Sequence, residues 1–399
     1  MTSRRCSPSS AAPPLEDDNL LSEILIRLPS EPSSLPRSSL VSKGWHRVAS
    51  DPRFSRRFRL HHRRNAPLLG FFNDLHFLPT MDSPNRVSEG RFSLRLDHGS
   101  GDHLILGCRH GLLLVLSLDK PTGHPAGYPV LVWDPVTGER HRVAVPAAFI
   151  VGKTCWIGGA VLRGTGLVHF QVVLLVADKG NGRILAWVYS SETGVWGDPI
   201  QTPLPSLSSG FQPFACDTSV LVGDSLYWLL LGSSSRSVTG TLSRILQFDL
   251  DRQILGVIYA PPPAHSDSVS SSPCLVLQAG GGGPGFLFVS GYQAQLWNMK
   301  TYLYNGAASW VLERTIQLEN LLSVNPEKEK VMILGFAENN NVVLVETVIG
   351  VFTIQLESLK FKKVHEAPML SCHHAFESVY AAGIDIGAGD GGAELLHNT

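Results

Sequence analysis

From about residue 67 to about residue 382, short apolar runs of four to eight residues alternate with turns rich in Gly, Asn, Asp and Pro. Helical periodicity nearly vanishes there, so the runs read as strands. They recur loosely, with a period of about fifty residues. "HGLLLVLSL" followed by "PVLVWDPVTGERHRV" is one unit, and "FQVVLLVADKGNGRILAWVYSSETGVW" is the next. "SVLVGDSLYWLLL" with "RILQFDLDRQILGVI" follows, then "GFLFVSGYQAQLWNMK" with "SWVLERTIQL", then "MILGFAENNNVVLVETVIGVFTIQLESLKFKKVHE". One such unit cannot bury both of its faces. Several stacked around an axis can, which is the logic of a β-propeller. Five units are internal, and strands within 67–106, joined by those within 370–382, supply a sixth. Closing the ring with both ends of the repeat region removes exposed edges. The expected fold is α+β and multidomain: a small N-terminal helical domain, then a mostly antiparallel β-propeller of six four-stranded blades. The competing arrangement is a pair of face-packed sheets.

The segment before the repeats is helical. Leu20, Leu21, Ile24, Leu25 and Leu28 follow helical spacing, with Asp17 or Asp18 as the cap and Pro29 as the stop. A second helix is expected from about Pro36 to Ala49, placing Leu40, Val41, Trp45 and Val48 on one broad apolar face. Asp51-Pro52 opens a third, on which Phe54 and Phe58 share a face. Roughly fifty residues rarely bury enough surface for a robust free-standing domain. The apolar side chains Leu20, Ile24 and Trp45 therefore need a cover.

The domain reading is a disordered segment 1–13, a helical domain 14–60, a basic linker 61–66, a propeller 67–385 and a disordered tail 386–399. A net charge of −1 argues against bulk attraction to nucleic acid or to a membrane. The six cysteines are scattered without a CxxC pair, which disfavours zinc or a disulfide framework and fits a reducing compartment. "MTSRRCSPSSAAPP" lacks an apolar run after its basic residues, so no signal peptide is expected. These features together predict an intracellular protein, in the cytoplasm, the nucleus or both, with no membrane contact.

The residues "PLEDDNLLSEILIRLPSEPSSLPRSSLVSKGWHRVASDPRF" resemble an F-box. Pro14, Leu15, Leu20, Leu21, Glu23, Ile24, Leu25, Arg27, Leu28 and Pro29 match that family's pattern in order, as do Leu35, Arg37, Val41, Lys43 and Trp45. Ser42 stands where the family has Cys. The strand region is similar to the propeller-like associated domains of plant-type F-box proteins, through "GCRHGLLLV", "VLVWDPVTGE", "WVYSSETGVWG", "LVGDSLYWLL", "ILQFDL" and "VFTIQLESLKFKKV". The resemblance implies the substrate-recognition subunit of an SCF-type ubiquitin ligase. Its helices dock on a Skp-type adaptor, and through it on a cullin, while the propeller holds a target protein the sequence does not name. The adaptor-binding residues it implies are Pro14, Leu15, Leu20, Leu21, Ile24, Leu25, Leu28, Pro29, Leu40, Val41 and Trp45. Such a subunit has no catalytic residue and no cofactor. The alternative is a hydrolase-like propeller enzyme with a helical appendage.

Other motifs are weak. "VGKT" at 151–154 lacks the Gly a phosphate loop requires at position 147, where Ala stands, and "AGGGGPG" at 279–285 reads as a loop between strands. The pairs His61-His62 and His373-His374 read as surface histidines, not metal ligands. Asp134, Asp198, Asp249 and Asp251 fall at repeat turns, where Asp bonds the local backbone. "RFSRRFRLHHRR" at 53–64 reads as a solvated helix, and nucleic acid is not the expected partner. The Ser-rich stretch 265–273 reads as an inter-strand loop. Trp156, Phe211 and Tyr292 are placed on loops at one end of the propeller.

Overall fold

The computed structural model describes residues 17–94, 103–118, 129–146, 149, 154–164, 166–207, 211–213, 218–234, 242–261, 274–301, 308–318, 331–367 and 373–380. Pro14, Leu15, "VGKT" up to Lys153, the Ser-rich stretch and both terminal segments therefore lie outside the described residues. The chain divides into two compact units. One comprises Met1–Pro67, Asp82–Val87 and Val379–Thr399; the other comprises Leu68–Met81 and Ser88–Ser378.

The first unit is helical. Helix α1 spans Asp18–Leu25, and its cap is Asp17, whose carboxylate accepts from the Asn19 N–H at 2.8 Å. The continuous helix expected over Pro36–Ala49 is broken in two: α2 is Ser34–Ser39 and α3 is Lys43–Ala49. The reason is Ser42. It adopts an extended backbone (φ −160°), and its hydroxyl accepts from the Trp45 N–H at 3.3 Å, starting a new helix. Helix α4, Pro52–His62, starts at Asp51 with Pro in the first turn and runs past the expected boundary at residue 60. A 3₁₀ turn, Arg63–Asn65, follows, so the basic stretch 61–66 is part of the folded unit. Leu21, Leu25, Leu35, Val48, Ala49, Phe54, Phe58, Ala66 and Val379 form the unit's core. Among the described residues, no helix is long and apolar enough to cross a membrane.

The second unit is a six-bladed antiparallel β-propeller. Blade one joins Leu68–Asn73 to His76–Pro79 on one side and to His374–Glu377 on the other. Blade two holds His103–Arg109, Leu112–Ser117, Pro129–Trp133 and Arg140–Ala144. Blade three holds Thr154–Arg163, Phe170–Asp178, Arg183–Ser190 and Val195–Trp196, and Ile200–Pro203 also pairs with its third strand. In blade four, Phe211–Pro213 and Val220–Val222 share the inner position beside Ser225–Ser234; Leu242–Asp249 and Ile254–Tyr259 lie outward. Blade five is Cys274–Gln278, Pro284–Ser290, Gln293–Thr301 and Ala308–Gln317. Blade six is Met332–Ala337, Val342–Thr347, Gly350–Gln355 and Phe361–His365. The innermost strands run beside one another around the ring, and the last, Met332–Ala337, lies beside His374–Glu377, which lies beside His103–Arg109.

The ring is thus closed by a strand from each end of the repeat region, and each of the five internal repeats is one blade. The strand count per blade differs from the expected four: blade one has three strands, and blades three and four have five each. Apolar layers between neighbouring blades supply the core. Trp228 is fully buried, and its indole N–H donates to the Gly159 carbonyl at 3.3 Å. A Cβ at Gly159 would lie 2.9 Å from both Leu106 and Leu114, so the blade-two and blade-three layers meet there at closest approach. Phe72, Phe77, Phe92 and Phe376 form an aromatic cluster at the closure, with Phe376 edge-on to Phe72 and Phe92, and the ring centroid of Trp133 of blade two lies 5.8 Å from that of Phe72.

Three expectations need correction. Trp156 lies within a strand and is buried, Phe211 is also in a strand, and Tyr292 is buried in a tight turn. His373 and His374 are buried, not surface histidines, because the closing strand lies on the inside of the ring. Asp134 does serve its turn, accepting from the Val136 and Thr137 N–H groups, but it is also buried against Arg163. "AGGGGPG" joins two strands of blade five, as its composition implies.

Candidate partner-binding surface and the polar centre of the propeller

Helix α1 carries two adjacent apolar stripes. At 3.6 residues per turn, Leu21 and Leu25 share one stripe and Leu20 and Ile24 the other, and a single core can cover only one. The structure turns Leu21 and Leu25 inward, where they are 1% and 0% exposed, and leaves Leu20 and Ile24 49% and 42% exposed. Leu40 and Val41, in the bend between α2 and α3, are still more exposed. Leu28 and Trp45 are half-buried and pack on the edge of the core, and Pro29 is exposed. Of the residues the F-box resemblance assigns to the adaptor, Leu20, Ile24, Pro29, Leu40 and Val41 thus face outward. Leu21 and Leu25 are core residues and present no surface to a partner.

Charged ties fix the outer stripe. Arg47 of α3 donates twice to the Asp18 carboxylate, at 2.6 and 2.8 Å. Arg57 of α4 donates to Glu23 at 2.8 Å and to the Ser22 hydroxyl at 3.0 Å. Each of these pairs is solvent-exposed and contributes about 0–1 kcal/mol, so their role is to orient α1. Residues 17–67 contain ten arginines and lysines against five aspartates and glutamates. Arg53, Arg56 and Arg57 are exposed on α4 with Leu60 among them, and Arg64 is exposed on the 3₁₀ turn that follows. The charge run was legible in the sequence; the contact of its Arg57 with Ser22 and Glu23 of α1 was not.

In the propeller, the densest polar group lies on the axis. Arg109, at the end of blade two's inner strand, donates to Ser219 of blade four, at 2.8 Å to the carbonyl and 3.2 Å to the hydroxyl, and to Glu338 of blade six. Groups from alternate blades can meet only across the centre. The Leu221 N–H also donates to Glu338, at 3.2 Å. On blade one, Glu377 accepts from the side chains and N–H groups of Asn339 and Asn340. Burial raises the Glu377 pKa, the Asn340 and Asn339 hydrogen bonds oppose that, and the Glu338 charge adds to it. Cys108 is half-buried beside this group, and desolvation, with the charge of Glu377, pushes its thiol far up, away from the reactive thiolate. The carboxylates here accept from fixed donors, so the arrangement cross-ties the blades.

A shallow recess lies between blades two and three. Its floor is the buried Asp134–Arg163 ion pair (2.7 Å), and His141, His169 and Phe170 line it. Asp198 is exposed, and Asp249 closes its own turn by accepting from the Asp251 and Arg252 N–H groups. Among the described residues, no group of three or more His, Cys, Asp or Glu side chains is placed to hold a metal ion.

No protein-family model matches the chain, and no curated protein matches it in sequence. Solved structures match in part. The WD40 domain of SCAP from fission yeast is 11% identical, with 74% of this chain and 58% of that one covered and a TM-score of 0.38. The α-L-arabinofuranosidase Arb93A from Fusarium graminearum is 12% identical over 75% of this chain and 88% of that one, with a TM-score of 0.36. A prolyl endopeptidase is 11% identical over 69% of this chain and 36% of that one, with a TM-score of 0.32. The match thus spans about a third of the endopeptidase and somewhat over half of the WD40 chain.

Proposed function

We propose that the protein is a substrate receptor of an SCF-type ubiquitin ligase: its helical unit docks on a Skp-type adaptor, and through it on a cullin, and its propeller holds a target protein. The observation that carries this reading is the outward apolar set Leu20, Ile24, Leu40 and Val41 on a unit whose core is already complete without them. Exposed aliphatic side chains one helical turn apart, with an aromatic residue at their border, suit insertion into an apolar groove. The ordered F-box pattern "LLSEILIRLP…LVSKGW" names the kind of partner that would supply the groove. The receptor contributes proximity and no chemistry of its own: tethering raises the effective concentration of a target lysine at the ubiquitin-charged enzyme. An intracellular location, cytoplasmic or nuclear, belongs to the same proposal.

The test is a titration of the purified full chain with a Skp-type adaptor. Leu20→Ala/Ile24→Ala should weaken binding by about 2 kcal/mol or more, roughly thirtyfold. Because both residues are exposed, thermal unfolding should barely change. Unaltered affinity in this variant would overturn the reading.

A further inference from the structure

We propose that the outward face of α4 is a docking site for a short acidic segment of a partner protein, distinct from the apolar stripe of α1. The core takes only Phe54 and Phe58 from this helix, 3% and 2% exposed. Arg53, Arg56, Arg57 and Leu60, spaced three and four residues apart, share the outward face, and Arg64 stands one turn further on. Residues 52–65 contain six arginines and no lysine, aspartate or glutamate. Like charges at this spacing repel one another, and Arg53 in the first turn opposes the helix dipole. The arginines thus work against the helix that carries them. Nor is their charge answered from within the unit. Residues 17–67 contain five carboxylates, and each has a partner. Asp17 and Asp51 cap α1 and α4, Asp18 holds Arg47, Glu23 holds Arg27 and Arg57, and Glu31 accepts from the Asn85 amide at 2.8 Å. Among the described residues, no ion pair engages Arg53, Arg56 or Arg64.

The excess charge is local, and that selects the occupant. Ten basic and five acidic residues give 17–67 a formal charge of +5, whereas the whole chain carries −1, so the remainder carries −6. A long polyanion such as a nucleic acid is repelled by that remainder, and α4 exposes no Phe, Tyr or Trp on which a base could stack. A membrane needs an apolar face to receive, and Leu60 is the one large apolar side chain exposed on α4. A short segment bearing carboxylates meets only the local field. The guanidinium fork pairs with a carboxylate through two parallel hydrogen bonds, which suits arginine over lysine. Arg53 to Arg64 spans about 16 Å along the helix, the length of about five extended residues. The occupant is therefore an acidic stretch of that length with an apolar residue to meet Leu60.

Fluorescence anisotropy on the intact chain tests this, with a labelled peptide of glutamates flanking one leucine as the probe. The peptide should bind saturably, and more weakly as salt rises. Its glutamine counterpart should not bind. Arg53→Gln/Arg56→Gln/Arg64→Gln should weaken binding about tenfold without lowering the thermal transition, since these side chains are exposed. Arg53→Glu/Arg56→Glu/Arg64→Glu should reverse the preference and take the corresponding lysine peptide. No binding of the acidic peptide, or equal affinity in the native chain and the glutamine variant, would overturn the inference, whatever the adaptor titration gives. Tighter binding of a DNA duplex or of phosphatidylserine vesicles would also overturn it, because a nucleic acid or a membrane would then be the occupant.

Discussion

Arg109 and Glu338 sit 229 residues apart in sequence and on alternate blades, yet the Arg109 side chain donates to both oxygens of the Glu338 carboxylate, its Nε at 3.0 Å. Together with Ser219, the pair ties blades two, four and six across the axis. A bidentate guanidinium–carboxylate pair is directional, so it fixes the angular relation of blades that share no strand ladder.

Arg109→Leu should therefore lower the propeller's stability by about 3–5 kcal/mol, because Glu338 and the Ser219 carbonyl lose their donor in a buried setting. Arg109→Leu/Glu338→Leu should cost less than the two single changes combined. Urea unfolding of the four proteins gives the coupling; strict additivity would show that the pair does not act as a unit.

His374 makes acid stability a property of ring closure. Burial, reinforced by the neighbouring His373, pushes its pKa from 6.5 down to about 4. The native state holds it neutral while the unfolded chain takes up a proton below pH 6.5. The associated stability is complete above 6.5 and is lost as the pH falls towards 4, on the order of 3 kcal/mol in all. Glu377, on the same strand, has the opposite sign: its raised pKa favours the native state at low pH, and that contribution is lost as the pH rises through the folded value. His374→Gln should flatten the loss between pH 6.5 and 4 in urea midpoints. An unchanged slope would remove His374 as its source.

The two stripes of α1 should separate by experiment. Leu25→Ala should destabilise the helical unit by about 2–5 kcal/mol, since its side chain is fully buried. Ile24→Ala, one position away, should cost well under 1 kcal/mol and act on partner binding. Trp45→Ala falls between, because Trp45 packs on the core edge. Circular dichroism melts of the three variants rank them, and equal melts for Leu25→Ala and Ile24→Ala would contradict the placement.

Gly70 lies in the blade-one strand that pairs with both neighbours. A Cβ there would fall 2.1 Å from the Leu78 carbonyl oxygen and 2.7 Å from the Phe77 ring. Gly70→Ala should cost about 2–3 kcal/mol, since backbone, not a flexible side-chain end, blocks the space. Limited proteolysis should then cut first within 68–79. A protection pattern like that of the native chain would refute the close approach.

Periodicity in the chain determined the propeller, its blade count and the closure of the ring by both ends of the repeat region. Alternating apolar strands and Asp/Gly turns are local signals, and a unit that cannot bury two faces alone must stack. The same local reading found the helices and the apolar positions of α1. It could not say which of two adjacent stripes would turn inward, because Leu20, Leu21, Ile24 and Leu25 are equivalent in hydropathy. Only packing against Phe54, Phe58 and Val379 makes Leu21 and Leu25 core and leaves Leu20 and Ile24 outside. Nor could it see that Ser42 would spend its hydroxyl on the Trp45 N–H and divide a helix. The Arg109–Ser219–Glu338 tie and the burial of His374 were invisible for a related reason. A charge's environment is set by what the fold brings to it from 110 or 229 positions away, and no local pattern carries that distance.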